Sequence, residues 1–325
     1  MDKIYVFGHQ RPDTDAVTSA IVLSYLKNKL GMDTEPRVLG DLNNETAFVL
    51  DYFKLETPKY LNDVHLQIKD VDYLKDCYLH ENDSIFKGYN YMNETKIGTL
   101  PVVDDKGMFK GVVSMKDVAG NLISGRLESL NTSYDNLLEA LNGKEVLRFD
   151  KEIKGNIVAA SYRSTTFKEK VNIDKETVLI VGDRHSIIEY AVENSASIII
   201  LTNGTEMKKE HLEIAKKNHV DVISTEYDGL TTANLVVLSN YLKDRMKTDD
   251  VATVCEDDSL TQTLEIAKKL KYSNYPVLDH NGKCLGVFKL SAAENVHPKR
   301  VMLVDHNELE QSVSGLEEAE IVEIV

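Results

Sequence analysis

The sequence predicts an α/β protein organised around a parallel sheet. Residues 1–62 read as strand, helix, strand, helix. Residues 299–325 resume that pattern with two short strands. The long stretch between them carries an internal repeat and a further run of alternating strands and helices. Strands that alternate with helices form parallel sheets through right-handed crossovers.

Ile4-Tyr5-Val6-Phe7 is an apolar run of strand length. Ala16, Ile21, Val22, Tyr25, Leu26 and Leu30 then recur at helical spacing. Val301-Met302-Leu303-Val304 reads as a short buried strand with Asp305 at its end, and Ile321-Val322-Glu323-Ile324-Val325 as another. Ligands of such sheets gather at strand carboxyl ends. His9, Asp13, Asp15 and Asp305 all fall at such ends, so they can converge.

The middle of the chain repeats itself. Thr99-Leu100-Pro101-Val102-Val103-Asp104 recurs as Asn274-Tyr275-Pro276-Val277-Leu278-Asp279. Gly107 matches Gly282, Gly111 matches Gly286, and Asp83-Ser84 matches Asp258-Ser259, at one constant separation (276 − 101 = 175). A fixed offset over so long a stretch marks a true repeat. Each copy reads helix, strand, Asp-x-x-Gly turn, strand, helix, with Gly supplying the positive φ of the turn. Between the copies, Val178-Leu179-Ile180-Val181 runs into Gly182-Asp183-Arg184, and Ser197-Ile198-Ile199-Ile200-Leu201 into Thr202-Asn203-Gly204. Val220-Asp221-Val222-Ile223-Ser224 follows as a third strand.

Composition bounds the function. A chain of 325 residues accommodates two or three domains, and 42% hydrophobic with 28% charged residues is ordinary for a soluble globular protein. A formal net charge of −15 argues against nonspecific nucleic-acid binding, which needs a basic surface. No apolar run approaches the roughly 20 residues that cross a bilayer, and Met1-Asp2-Lys3-Ile4 lacks signal-peptide features. Cys77, Cys255 and Cys284 are unclustered, with no disulfide framework and no zinc spacing. A reducing cytoplasm is the simplest home, with neither nucleic acid nor membrane as a partner.

The densest chemistry is Gly8-His9-Gln10-Arg11-Pro12-Asp13-Thr14-Asp15-Ala16. One imidazole and two carboxylates lie within seven residues at a strand-to-helix turn. Imidazole and carboxylate suit manganese, zinc, cobalt or iron. The bland alternative is an ordinary βα turn with Asp13 or Asp15 as helix N-cap.

This string resembles the first motif of family II, metal-dependent inorganic pyrophosphatases of the DHH phosphoesterase superfamily. The similarity continues through Glu35-Pro36-Arg37-Val38-Leu39-Gly40 and Asn44-Glu45-Thr46 to Leu50-Asp51-Tyr52-Phe53. It resumes at Val304-Asp305-His306-Asn307-Glu308, which resembles the family's Asp-His-Asn motif. The resemblance implies His9 and Asp13 on one metal, Asp15 on the other and Asp305 bridging both. It implies manganese or cobalt as cofactor, with magnesium accompanying the substrate.

The repeats resemble CBS domains, whose pairs bind adenine nucleotides. Gly111-Val112-Val113-Ser114-Met115-Lys116-Asp117 is similar to the family's nucleotide motif, with Ser114 facing phosphate and Asp117 holding the ribose. The second copy, Gly286-Val287-Phe288-Lys289-Leu290-Ser291-Ala292, puts Ala292 where the ribose Asp belongs. The implied cleft is lined by Lys96, Thr99, Ser114, Lys116, Asp117, Asn274, Tyr275 and Lys289, with Tyr275 stacking on adenine and Lys289 meeting phosphate. The alternative is a purely structural CBS pair. The unit between resembles the DRTGG domain; its Gly182-Asp183-Arg184 and Thr202-Asn203-Gly204 turns either bind an anion or are structural turns at a dimer contact.

The order implied is a first phosphoesterase part (1–64), a CBS copy (65–120), a DRTGG domain (121–245), a second CBS copy (246–298) and the phosphoesterase resumed (299–325). Residues 62 and 299 are then expected as near neighbours. The family's Asp-His-His motif and its Ser-Arg-Lys-Lys phosphate-binding string are not found in these residues. The expectation is therefore a chain cut short, with no complete catalytic set. The implied function is hydrolysis of inorganic pyrophosphate, regulated by adenine nucleotides (AMP, ADP, ATP or diadenosine polyphosphates), in a homodimer. The competing readings are a catalytically dead nucleotide sensor and another DHH-superfamily phosphoesterase.

Overall fold

A computed structural model describes residues 3–61, 63–123, 129–270, 272–304 and 313–325. The first elements are β1 (Ile4–Phe7), α1 (Thr14–Lys29), β2 (Thr34–Val38), α2 (Asn44–Tyr52) and β3 (Lys59–Tyr60). There follow β4 (Leu74–Lys75), β5 (Leu79–His80), α3 (Ile85–Thr95), β6 (Thr99–Val103), β7 (Phe109–Ser114) and α4 (Met115–Ile123). The middle holds β8 (Leu130–Ser133), α5 (Tyr134–Ala140), β9 (Lys144–Leu147), β10 (Glu152–Ala159), α6 (Ser164–Lys170) and β11 (Thr177–Val181). It continues with α7 (His185–Glu193), β12 (Ile198–Leu201), α8 (Lys209–Lys217), β13 (Asp221–Ser224) and α9 (Gly229–Leu238). The last are β14 (Val254–Cys255), α10 (Leu260–Leu270), β15 (Asn274–Leu278), β16 (Cys284–Lys289), β17 (Arg300–Leu303) and β18 (Glu320–Ile324).

The chain forms two compact units. One comprises Met1–Tyr73, Val254–Ser273 and Phe288–Val325, the other Leu74–Thr253 and Asn274–Val287. In the first, five parallel strands lie in the order β18-β17-β1-β2-β3. The path β1, β2, β3 runs outward in one direction and β17, β18 in the other. The topological switch point therefore lies between β1 and β17, where open α/β sheets form their ligand crevice. Alternating side chains divide the core. Phe7, Val301 and Leu303 pack on one face with Leu39, Val64 and Val313. Ile4, Val6, Met302 and Val304 pack on the other with Ala20 of α1. Asp13 caps α1, whose last turn carries Lys27 and Lys29, matching the helix dipole at both ends.

In the second unit, β10, β11, β12 and β13 run parallel in chain order, flanked by antiparallel β8 and β9. All residues of β11 and β12 are buried, as expected of a sheet covered on both faces. Phe167, Ile187, Ile188 and Ala215 of α6, α7 and α8 cover one side; Leu137 of α5 and Val236 of α9 cover the other.

The repeat is legible in hydrogen bonds. Asp104 Oδ1 accepts from Lys106 N and Met108 N at 2.9 and 3.0 Å, and Asp279 Oδ1 accepts from Asn281 N and Lys283 N, both at 2.8 Å. Gly107 and Gly282 take φ of 78° and 81°. The two turns also bond each other reciprocally: Phe109 N to Gly282 O at 3.1 Å, Cys284 N to Gly107 O at 3.0 Å. The copies differ at their ends: Met115–Ile123 is an α-helix, whereas Leu290–Asn295 is a 3-10 helix.

Each copy's leading segment docks on the other copy. Ile68 N donates to Asp258 O and Lys69 N to Glu256 O, while Leu260 N donates to Leu66 O. Correspondingly, Leu242 N donates to Asp83 O and Lys243 N to Glu81 O, while Ile85 N donates to Asn240 O. Residue 62 lies outside the described residues. Lys299 nonetheless reaches Asp70 at 2.9 Å, joining the segments that lead into and out of the repeats.

Candidate functional site

The first candidate site is the turn from β1 to α1. Val304 N donates to Phe7 O at 3.0 Å, extending the pairing of β17 with β1 into the turn. Gly8 is needed there: a Cβ would stand 2.8 Å from Ala16 Cβ and 3.3 Å from Val304 O. Gly40 presses on the same turn, since its Cβ would meet Gln10 O at 2.5 Å and Pro12 Cδ at 3.2 Å. Close backbone packing thus fixes the path of residues 8–13.

That path brings His9 and Asp13 together. His9 Nε2 lies 3.6 Å from Asp13 Oδ1, with the imidazole 13% and the carboxylate 57% exposed. His9 Nδ1 is buried and has no hydrogen-bond partner among the described residues. Asp13 Oδ1 accepts from Ala16 N at 2.9 Å, so the same oxygen that lies near His9 caps α1. Asp15 sits in the first turn of α1, its Oδ1 3.5 Å from Ser19 Oγ. Asp305 lies outside the described residues; the chain leads to it from Val304, beside Gly8.

Divalent cations fit this arrangement. Two donors each about 2.1 Å from one ion can stand up to roughly 4 Å apart. The separation of His9 Nε2 from Asp13 Oδ1 falls inside that limit, so these two atoms could share one ion, while the buried Nδ1 is the ring's other nitrogen. The thiols of Cys77 and Cys284 are buried, and burial pushes Cys284 up to about 11, so it is held as an inert thiol.

The second candidate site lies in the first repeat. Thr99 pairs across the hairpin with Ser114. Ser114 Oγ and N donate to Asp117 Oδ2 at 2.6 and 3.0 Å, so the expected phosphate and ribose residues form one local knot. A Cβ on Gly98 would lie 3.9 Å from Asn274 Nδ2, placing that amide beside the start of β6. Lys96 caps α3 in the left-handed conformation and is exposed, as is Lys116. Tyr275 departs from expectation. It is 2% exposed, so its ring is packed in the interior and presents no open stacking face. Lys289 ends β16 and is half-buried.

The turns of the middle region spend their donors internally. Asn203 N and Gly204 N donate to Tyr227 O and Thr225 O at 2.8 and 2.9 Å. The Arg184 guanidinium donates to Tyr162 O, and His185 Nε2 lies 3.2 Å from Asp183 Oδ1. This favours structural turns over an anion nest. Sequence reasoning missed the exchanged leading segments. Their signal was present in Ile68-Lys69-Asp70 against Leu242-Lys243-Asp244.

Comparison with known proteins identifies two kinds of domain and a group of similar enzymes. Residues 136–239 match the DRTGG domain, and residues 68–124 and 242–292 match the CBS domain. All of the chain aligns at 34% identity with a cobalt-dependent inorganic pyrophosphatase of Clostridium perfringens, covering 60% of that protein. All of it aligns at 30% with a probable manganese-dependent inorganic pyrophosphatase of Thermotoga maritima, again covering 60%. The chain thus spans about 60% of the length of these curated relatives. A crystal structure of the CBS and DRTGG domains of the regulatory region of the Clostridium perfringens pyrophosphatase, complexed with its activator diadenosine tetraphosphate, superposes with a TM-score of 0.59 at 27% identity. That match covers 69% of this chain and 99% of the other. Over its whole length the chain is thus similar to cobalt- and manganese-dependent inorganic pyrophosphatases, and it contains CBS and DRTGG domains.

Proposed function

We propose that this chain supplies the first metal-binding part and the nucleotide-responsive insertion of an inorganic pyrophosphatase. The observation that carries the reading is the His9–Asp13 pair, 3.6 Å apart at the end of β1, beside the switch point. His9 and Asp13 would hold one manganese or cobalt ion; Asp15 and Asp305 complete the proposed set. Such ions supply the charge neutralisation that pyrophosphate needs and lower the pKa of water. The protein's own part is positional: Gly8 and Gly40 fix the turn, and the Asp13 cap orients the carboxylate. Soluble, cytoplasmic placement and a homodimer belong to the same proposal.

Nucleotide response is proposed at Ser114 and Asp117, with Lys96, Thr99, Lys116 and Asn274 of the same unit. Ligand would displace the Ser114–Asp117 bond and take up both side chains. A second reading is a nucleotide sensor without catalysis; nucleotide binding without pyrophosphate turnover would favour it.

The test uses manganese, followed by electron paramagnetic resonance. Asp13→Asn retains a good N-cap, so the fold should persist while manganese affinity falls about 100-fold or more. Unchanged manganese affinity in both Asp13→Asn and His9→Ala sinks the metal reading. Pyrophosphate turnover by this chain at an ordinary enzymatic rate sinks the sensor reading. For the insertion, calorimetry with AMP, ADP and diadenosine tetraphosphate should show binding that Asp117→Ala weakens.

A further inference from the structure

A cavity of about 470 Å³ opens at the N-terminal edge of the five-stranded sheet, away from the His9 turn. Its charged lining is Lys3, His297, Lys299 and Arg300 against Asp70 and Asp72. Lys3 stands just before β1 and Arg300 opens β17, and the register sets Arg300 beside Ile4. Sequence distance therefore hides the cluster: about 300 residues of chain separate neighbours in space.

The cations are held in place with donors to spare. Lys3 Nζ is 3.1 Å from Glu35, and Arg300 meets Glu320 through Nε at 3.3 Å. Neither glutamate lines the cavity, so each anchors its partner from outside. An ammonium has three donors, and a guanidinium held through Nε keeps its two terminal nitrogens for a bidentate partner. Asp70 is taken up by Lys299 at 2.9 Å. The remaining donors of Lys3 and the fork of Arg300 match tetrahedral oxyanions. The volume lies in the range that holds small ligands. Ala292 of the second copy lines it, but Ser114, Asp117, Asn274 and Lys289 do not, so it differs from the proposed adenine cleft of the first copy.

The geometry points to this cavity as a binding site for a phosphate-bearing small molecule. Its walls are the starts of β1 and β17 and the two segments, 66–72 and 292–300, that lead into and out of the repeats. The opposite ends of those strands, about 13 Å away at 3.3 Å per residue, carry His9 and lead to Asp305. Occupancy would be felt by both strands that support the candidate metal ligands.

The test is calorimetry on the 325-residue chain in EDTA, with inorganic phosphate, pyrophosphate and ADP as separate probes. At least one should bind saturably. Lys3→Gln and Arg300→Gln should each weaken that binding about 10-fold or more, the loss expected of one charge-assisted contact. Asp117→Ala and Asp13→Asn should leave it unchanged. A preference for the inorganic probes assigns a free oxyanion, and a preference for ADP assigns a nucleotide phosphate; both support the site. Lys3 is half-exposed, so Lys3→Gln tests the site even if Arg300→Gln melts early in circular dichroism. The idea is overturned if no probe binds below on the order of 10 mM. It is also overturned if binding survives both substitutions, or is lost in Asp117→Ala or Asp13→Asn.

Discussion

The two parallel sheets of this protein are built from similar strands and serve different ends. In the first unit, chain order reverses between β1 and β17, and the turn at that point sets the His9 imidazole 3.6 Å from the Asp13 carboxylate. In the second unit, β10 to β13 follow chain order without reversal, and their turns hydrogen-bond to themselves. A crevice forms where neighbouring connections diverge. Where they do not, the next turn covers the last one, and donors that might serve a ligand are spent on stability.

If the second sheet is scaffold, its buried strands should dominate stability. Ile199, in the middle of β12, is fully buried among the side chains of α7 and β11. Ile199→Ala should cost about 4 kcal/mol through lost burial and a cavity. Urea unfolding measures it. A cost below about 1 kcal/mol would mean that the sheet yields easily and is not the rigid partner in the comparison.

The next effect is a pH dependence seated in the same sheet. Asp221 opens β13 with no exposure; Phe149 N donates to its Oδ1, while Oδ2 has no partner among the described residues. Burial pushes its carboxyl up to about 6, against the downward pull of backbone donors. A folded pKa above the unfolded value of 3.8 means that the folded state binds the proton more tightly. Stability from this group is therefore present at low pH and is lost as pH rises through about 6. The difference between pH 4 and pH 7.5 should be about 2 kcal/mol. Asp221→Asn should remove that dependence and be the more stable protein at pH 7.5. A variant that instead loses stability there would show a needed buried charge.

How much of this was legible beforehand varies with the kind of signal. The strand–helix alternation predicted both parallel stretches because apolar periodicity is local. The 175-residue offset anticipated two matching hairpins because Asp104 and Asp279, with Gly107 and Gly282, satisfy the same turn. The exchange of leading segments was hidden, since each segment's partner lies in the other copy. Tyr275 was expected at a ligand and is buried; an aromatic residue inside an apolar strand serves the core as readily as a site. Lys3, Lys299 and Arg300 form a cluster visible only once β1 and β17 are paired.

A smaller effect separates two roles of one residue at the switch point. Asp13→Ala removes the carboxylate that accepts from Ala16 N and should cost about 1 kcal/mol. Asp13→Asn should cost little of that. Equal losses in the two variants would show that the charge, and not the cap, carries Asp13's structural share.

The smallest effect belongs to the corresponding turn of the second sheet. Asp183 follows β11 as Asp13 follows β1, and it too has a histidine within reach, His185 Nε2 at 3.2 Å. Its carboxylate is 81% exposed, and water competes for the pair at both ends. The neighbouring donors are already used: Asn203 N and Gly204 N hold Tyr227 O and Thr225 O, and the Arg184 guanidinium holds Tyr162 O. Asp183→Ala should therefore change stability by no more than about 0.5 kcal/mol. It should leave manganese binding and pyrophosphate binding untouched. A loss of either ligand in this variant would place a site where the sheet has no reversal of chain order, and topology would then no longer explain why the proposed site lies at the first turn and not at the second.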